Sequence, residues 1–423
     1  MNPPVAPLRR PRAPRRAPTR IGLALAGGGP LGAIFEIGAL CALEEALIGV
    51  DFTAMDGYVG VSAGGFICAG LANGMTARQM CTAFIENNGG DDDLIDPSIF
   101  VHPAWDEYAT RLAMLPRLVA KVAWHAALGT ASGIEIVEQL GRALPTGFFS
   151  NAPIEAHLRA VFSAPGRTDD FRQLARRLVL VATDLDTGGV APFGQPGWDD
   201  VPISQAVTAS AALPGLYPPV RIGGRHYVDG ALRKTVHARV LLDQGVNLVI
   251  CLNPLVPFDA SHAPTHQVRL GSARIPKLVE GGLPLVASQS FRSLIHSRLE
   301  LGLKGYNASH PDVDIAVIEP DHRDPEMFGA NTFSYSARRH LAEHAYQSTR
   351  AHLRMRRRAL HAMFARHGIA LDDAVLDDPD RRLVTYTPRR ITPAWHDAPQ
   401  DRLGGALRRL GGVLDELESS LGA

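Results

Sequence analysis

Cysteine is scarce, with four residues in 423: Cys41, Cys68, Cys81 and Cys251. None forms a C-x-x-C pair or joins histidines at zinc spacing, which excludes a locally encoded zinc module or redox motif. Each stands alone in apolar sequence and reads as a small buried hydrophobe in a reducing, cytoplasmic setting. Net charge is also lacking, since 43 Lys and Arg balance 43 Asp and Glu. The overall charge therefore points to no polyanionic partner, and no nucleic acid is expected. A membrane-spanning run is missing as well. The longest charge-free stretch, Tyr58 to Met75, carries Gly60, Ser62, Gly64, Gly65, Gly70 and Asn73. It reads as a buried strand, turn and helix rather than a span of about 20 apolar residues. The opening residues have no apolar segment of a secretory signal. They hold six arginines among prolines (Arg9, Arg10, Arg12, Arg15, Arg16, Arg20). Such a composition cannot bury a core, so residues 1–20 are expected to be a disordered basic tail, solvated or weakly attracted to anionic lipid.

What remains is ordinary globular material, 46% hydrophobic and long enough for two domains of about 100–200 residues. "RIGLALA", "GYVGV", "RLVLVATDL" and "NLVICL" are short apolar runs suited to buried strands. Helical patterns follow at Leu31–Leu47, from Ala63, at Pro103–His125, at Ser132–Leu144 and in "ISQAVTASAALP". "PPVRIGGRHYVDG" reads as a hairpin around Gly223-Gly224. Strands alternating with helices predict a three-layer α/β/α domain over 21–253, its sheet mostly parallel and covered on both faces. After a proline-bearing linker, 254–423 is expected to be a mainly helical extension. It includes a short "DIAVIEP" strand, a basic amphipathic helix over Ser334–Arg366 and a terminal leucine stripe from Leu403 to Leu421. The stripe is expected to pack on the domain, a lipid-surface or oligomer face being the alternative. The sequence sets no oligomeric state.

Two glycine-rich turns carry the chemistry. Gly27-Gly28-Gly29-Pro30-Leu31-Gly32 lies between a strand and a helix and satisfies G-x-G-x-x-G. A dinucleotide reading would use Gly27, Gly29 and Gly32 with Asp51 about twenty positions on. The same backbone shape suits any anion at a helix N-terminus, and Pro30 removes one N–H from the turn. The second turn, Gly60-Val61-Ser62-Ala63-Gly64, is G-x-S-x-G at another strand-to-helix junction, the pattern of a nucleophile elbow. Together the turns suit a serine nucleophile, Ser62, with an oxyanion held by N–H groups of Gly27, Gly28, Gly29, Leu31, Gly32 and Ala63. His226 and His237 bracket Asp229 too closely for the chain order of a Ser-Asp-His hydrolase and read as surface residues. Asp229 ends the apolar arm "RHYVDGAL" before Gly230, at a strand end with free approach. Asp184 and Asp186 are a rival acid pair, more readily assigned to a loop. His102, Trp105, Trp124 and His125 show no ligand spacing and read as structural.

The set G-G-G-x-x-G, G-x-S-x-G and D-G-A, in that order, resembles the patatin-like phospholipase family. "ASAALP" (Ala209 to Pro214) is similar to the A-S-x-x-x-P run of these proteins. The resemblance covers Ile21 to Asn253. It implies a Ser-Asp dyad, with Ser62 as nucleophile and Asp229 as general base. It also implies lipid or phospholipid ester substrates met at a membrane surface, an acyl-enzyme open to hydrolysis or acyl transfer, and no metal or cofactor. A free aspartate, with a pKa of about 3.9, is a weak base near neutrality, so the role needs burial to raise it. One departure is Leu31, where the family usually carries Arg or Lys. It leans toward less charged esters and is the sole support for a lipid-binding protein without activity. Arg221, Arg225, Arg233 and Lys234 are the candidate substitutes, solvated surface charge being their simpler reading.

Overall fold

In the computed structural model the described residues are 19–88, 96–128, 134, 141–233, 236–259, 261, 268–270, 273–275, 277–328 and 335–383. Most of the basic tail, the leucine stripe, Lys234 and most of Ser132–Leu144 lie outside them. Arg20, counted with the tail, is anchored: its N–H donates to Asn247 Oδ1 at 2.8 Å and its guanidinium to Gln244 O at 2.7 Å.

The described residues build one mixed sheet of eight strands: β1 (Ile21–Leu25), β2 (Gly57–Val61), β3 (Leu178–Asp184), β4 (Val190–Phe193), β5 (Val220–Ile222), β6 (Arg225–Asp229), β7 (Leu248–Leu252) and β8 (Asp314–Ile318). Their order is β8-β7-β1-β2-β3-β6-β5, with β4 also paired to β3. The run from β8 to β3 is parallel, while β4, β5 and β6 are antiparallel additions. The β5–β6 hairpin turns at Gly223 and Gly224, both at positive φ (56° and 83°), where a side chain would be strained.

Period-two alternation sends the strand residues to two cores. Leu23, Leu25, Tyr58, Leu180, Leu248 and Ile250 enter one, whereas Ala24, Val59, Val61, Val179, Val181 and Val249 enter the other. The first is covered by α1 (Gly29–Ala46), α2 (Ala63–Ala72), α4 (Ala152–Phe162) and α5 (Ile203–Ser210). Between α2 and α4 in the chain runs α3 (Trp105–Ala127). The second core is covered by α6 (Gly282–Ser309) through Ile295 and Leu299. The layers are thus α/β/α.

Sheet and core continue beyond Asn253. β8 pairs in register with β7, Asp314 opposite Leu248 and Ile318 opposite Leu252. α7 (Tyr335–Met355) lies on α1 so closely that a Cβ at Gly38 would meet Ala342 O at 2.5 Å. The single helix expected over Ser334–Arg366 is two, α7 and α8 (Arg357–Ala365). Its basic face is not simply solvated: Arg350 is buried and donates to the carbonyls of Val375, Leu376 and Asp378. No helix among the described residues is long and apolar enough to cross a membrane.

Candidate active site

Register brings the two glycine-rich turns together. Leu25 of β1 is opposite Gly60 of β2, so the chain leaves both strands at one level, into α1 and α2. The elbow is tight. A Cβ at Gly60 would lie 2.5 Å from Gly65 Cα, and one at Gly64 would lie 2.5 Å from Ala26 O. Gly64 N–H donates to that same Ala26 carbonyl at 3.2 Å, which ties the elbow to the glycine loop. Ser62 itself sits at φ 53°, ψ −123°. For a residue with a side chain this conformation costs about 1–3 kcal/mol, and such strain persists where the surroundings enforce it.

The enforcing group is Ser210, at the end of α5. Ser62 N–H donates to Ser210 Oγ at 2.8 Å, and Ser210 Oγ–H donates to Val181 O at 2.6 Å. Sequence reading quoted Ser210 within "ASAALP" and gave it no role. Its signal was there, a serine four residues before a proline that ends a helix. What it holds became visible only when β3 and α5 were placed.

The glycine loop lies against the serine, a Cβ at Gly27 falling 2.9 Å from Ser62 Cβ and 3.5 Å from Ser62 Oγ. Gly29 opens α1 at φ 58°, a position that favours glycine. Gly28 and Gly32 pack on one another and on Pro254, with Gly32 N–H donating to Gly28 O at 2.9 Å. Leu31 is half-buried against the core. The first N–H groups of a helix have no partner within it, and here α1 and α2 both start beside Ser62.

Asp229 comes from the other side of β3. Val61 of β2 pairs with Val181 of β3, and Ala182, the next residue, pairs with Asp229. Ser62 and Asp229 therefore stand at the same height, flanking one strand. The Asp229 backbone is fixed by its N–H to Ala212 O and by Thr183 Oγ–H to its carbonyl, both at 3.0 Å. Gly230 is required by closeness, since a Cβ there would lie 2.1 Å from Val181 O. The carboxylate is buried and accepts from Ala231 N–H at 2.8 Å. Burial pushes its pKa up to about 6, against the opposing pull of the Ala231 N–H and the nearby Ser62 side chain.

The rival acids serve a loop. Asp184 Oδ1 accepts from the N–H groups of Asp186 and Thr187, and Oδ2 from Arg225 at 3.0 Å. Although burial acts to raise it, these bonds hold the Asp184 carboxyl below its ordinary value. Arg225 is thereby engaged, four residues or about 13 Å along β6 from Asp229. Asp51 follows α1, about 27 Å long, and accepts from Thr53 in the turn before β2. It lies at the end of the sheet away from the glycine loop, where no ribose of a bound dinucleotide would reach. His226 is exposed beside Asp186, whereas His237 is buried, contrary to its surface reading.

Gly29, Pro30, Ser62 and Ala63 form one end of a cavity of about 130 Å³, ten times the space a single water needs. Its remaining wall is apolar, including Ile34, Ile37, Phe66, Phe84, Phe100 and Leu158, with His157 and Arg338 as polar exceptions. Tyr217 closes another side and donates to Phe100 O at 2.8 Å. Trp105 and Trp124, expected to have no ligand role, both stand on α3. They are 65% and 66% exposed, as are Phe148 at 54% and Leu216 at 44%.

The model of the patatin-like phospholipase family matches residues 23–242, which contain both turns and Asp229. An uncharacterized NTE family protein of Mycobacterium tuberculosis is 30% identical over 241 residues, 57% of this chain and 31% of that protein. The match thus spans about a third of that relative's length. Among solved structures, VipD from Legionella pneumophila is 20% identical at a TM-score of 0.31, covering 56% of this chain and 50% of that one. The type III effector ExoU is 16% identical at 0.33, covering 80% and 53%. With the family model matching more than half its length, the chain belongs to the patatin-like phospholipase family.

Proposed function

We propose that this protein is a serine acyl hydrolase of lipid esters, acting through Ser62 and Asp229. The observation that carries the reading is the strained Ser62, level with a buried carboxylate whose pKa stands near 6 across one strand, at the end of an apolar cavity. Ser62 Oγ attacks the ester carbonyl carbon while its proton passes to Asp229. The N–H groups at the starts of α1 and α2, from Gly28, Gly29 and Ala63, receive the oxyanion; losing one such donor costs about 10²–10³ in rate. Collapse of the tetrahedral adduct breaks the ester bond, and Asp229 returns the proton to the leaving alcohol. Water, deprotonated by Asp229, then attacks the acyl-enzyme; the acyl–Oγ bond breaks, the proton passes from Asp229 to Ser62 Oγ, and the fatty acid is released. These steps need no metal or cofactor.

The mostly apolar cavity wall fits an acyl chain, with Leu31 where a cation would assist with a phosphate. Phe148 and Leu216 lie in the paired segments that lead to Tyr217, and Trp105 meets Tyr108, whose hydroxyl donates to Phe148 O. Along α3, Trp105, Leu112 and Val119 recur every seven residues on one face. We infer that this patch rests on the lipid surface, so that the protein is peripheral and draws substrate directly from the interface. Fatty-acid release from phospholipid, lysophospholipid and acylglycerol dispersions tests the reading. At least one class is expected to be hydrolysed by wild type and not by Ser62→Ala; equal release by both would contradict it.

A further inference from the structure

Away from the dyad, three side chains from separate elements meet at the C-terminal edge of β7 and β8. His296 comes from the middle of α6, Glu319 directly follows β8, and His322 lies three residues beyond. A nitrogen of each histidine and an oxygen of Glu319 all lie within 4.8 Å of one another. The rings meet edge to face, centroids 4.7 Å apart. Nδ1 of His296 is buried without a hydrogen-bond partner, 3.6 Å from Glu319 Oε1. That separation exceeds the 2.7–3.2 Å range of a good N–H···O bond. It is close to the ligand–ligand edge, about 3.4 Å, of a tetrahedron with metal bonds of about 2.1 Å.

We propose that His296, Glu319 and His322 form a binding site for a divalent transition metal, with zinc the best-fitting ion. Two imidazoles and a carboxylate are a donor set suited to zinc, and water completes the shell. The surroundings are those of oriented ligands. Glu319 Oε1 accepts from Asn253 Nδ2 at 2.7 Å, which fixes the carboxylate. Nδ1 of His296 is the nitrogen that faces Glu319, while Nε2 lies 3.6 Å from Glu300 Oε1 one turn along α6. Ser62 and Asp229 are not among the ligands, so the ion is a clamp rather than a reactant. It ties α6 to the ends of β7 and β8. Asn253 leads directly into Pro254, whose ring stands 2.8 Å and 3.0 Å from where Cβ atoms would be at Gly28 and Gly32. The clamp therefore braces the surface on which the glycine loop packs.

The test is a titration of the full chain, first freed of metal by a chelator, with Co²⁺ followed by visible absorption and equilibrium dialysis. One Co²⁺ per chain, displaced by Zn²⁺, is expected. His322→Ala and His296→Ala should each weaken binding at least about a hundredfold. Absence of stoichiometric binding by wild type overturns the proposal, as does undiminished binding by His322→Ala. His296 lies inside a packed helix, so if its variant does not fold, the wild-type titration and His322→Ala decide. Ser62→Ala is expected to bind Co²⁺ as wild type does, so this outcome stands apart from the catalytic reading.

Discussion

Replacing Asp229 by Asn separates the electrostatics of the site from its shape. The amide oxygen can still accept from Ala231 N–H, but the group no longer ionises. In wild type, burial lifts the carboxyl from its ordinary value of about 3.9 to about 6. At about 1.4 kcal/mol per pH unit, the ionised carboxylate is disfavoured in the fold by about 3 kcal/mol. The folded pKa lies above the unfolded one, so this contribution to stability is fully present below about pH 4 and is lost as pH rises through about 6. About half of the loss, roughly 1.4 kcal/mol, falls between pH 5 and pH 8. Asp229→Asn does not suffer it. In denaturant unfolding, the variant should therefore gain roughly 1.4 kcal/mol on wild type when the pH is taken from 5 to 8, while losing ester hydrolysis at both. In parallel, wild-type kcat/KM should rise with pH through an apparent pKa of about 6 and then level off, because the ionised carboxylate is the base. A pH-independent stability difference between the two proteins, together with a flat rate profile from pH 5 to 7.5, would refute the assignment.

Other outcomes follow from the same geometry. Ser210→Ala removes the acceptor of Ser62 N–H and a donor to Val181 O, both buried; it should cost about 1–3 kcal/mol in unfolding experiments and lower kcat more than it changes KM. Ala33 lines the cavity beside Pro30 and Ile34. Ala33→Phe should lower the ratio of long-chain to short-chain kcat/KM at least about tenfold, as fits a lost position for one or more methylenes. Substituting Trp105 and Leu112 together by Ser should weaken partitioning onto phospholipid vesicles at least about tenfold in a sedimentation assay, each exposed side chain forfeiting apolar burial at the interface. Hydrolysis of a soluble short-chain ester should fall far less.

The parts of this arrangement that local sequence encodes were legible. "GYVGVSAGGF" states a strand, a sharp turn and a helix in consecutive residues, and the glycines are needed because backbone meets backbone there. Asp229 could be read as a strand end before a glycine. Its position level with Ser62 depends on the pairing of β2 with β3 and of β3 with β6, which no single segment states. Ser210 was invisible for the same reason: its partners are 29 and 148 residues away. The alternation that marks β8 was seen, yet its place beside β7 depends on pairing across more than sixty residues. α7 read as amphipathic, and only Gly38 of α1 records how closely it packs. His296 and His322 stand on different elements, so no ligand spacing could announce them.

The central claim is that Ser62 is an activated nucleophile served by Asp229. Its most direct test is labelling of the full chain with a fluorophosphonate probe, in the presence of lipid vesicles, with the modified residue mapped by mass spectrometry. The account predicts label on Ser62, with none on Ser62→Ala and label strongly reduced on Asp229→Asn. Absence of label on wild type, or label on a different residue that survives Ser62→Ala, would contradict it.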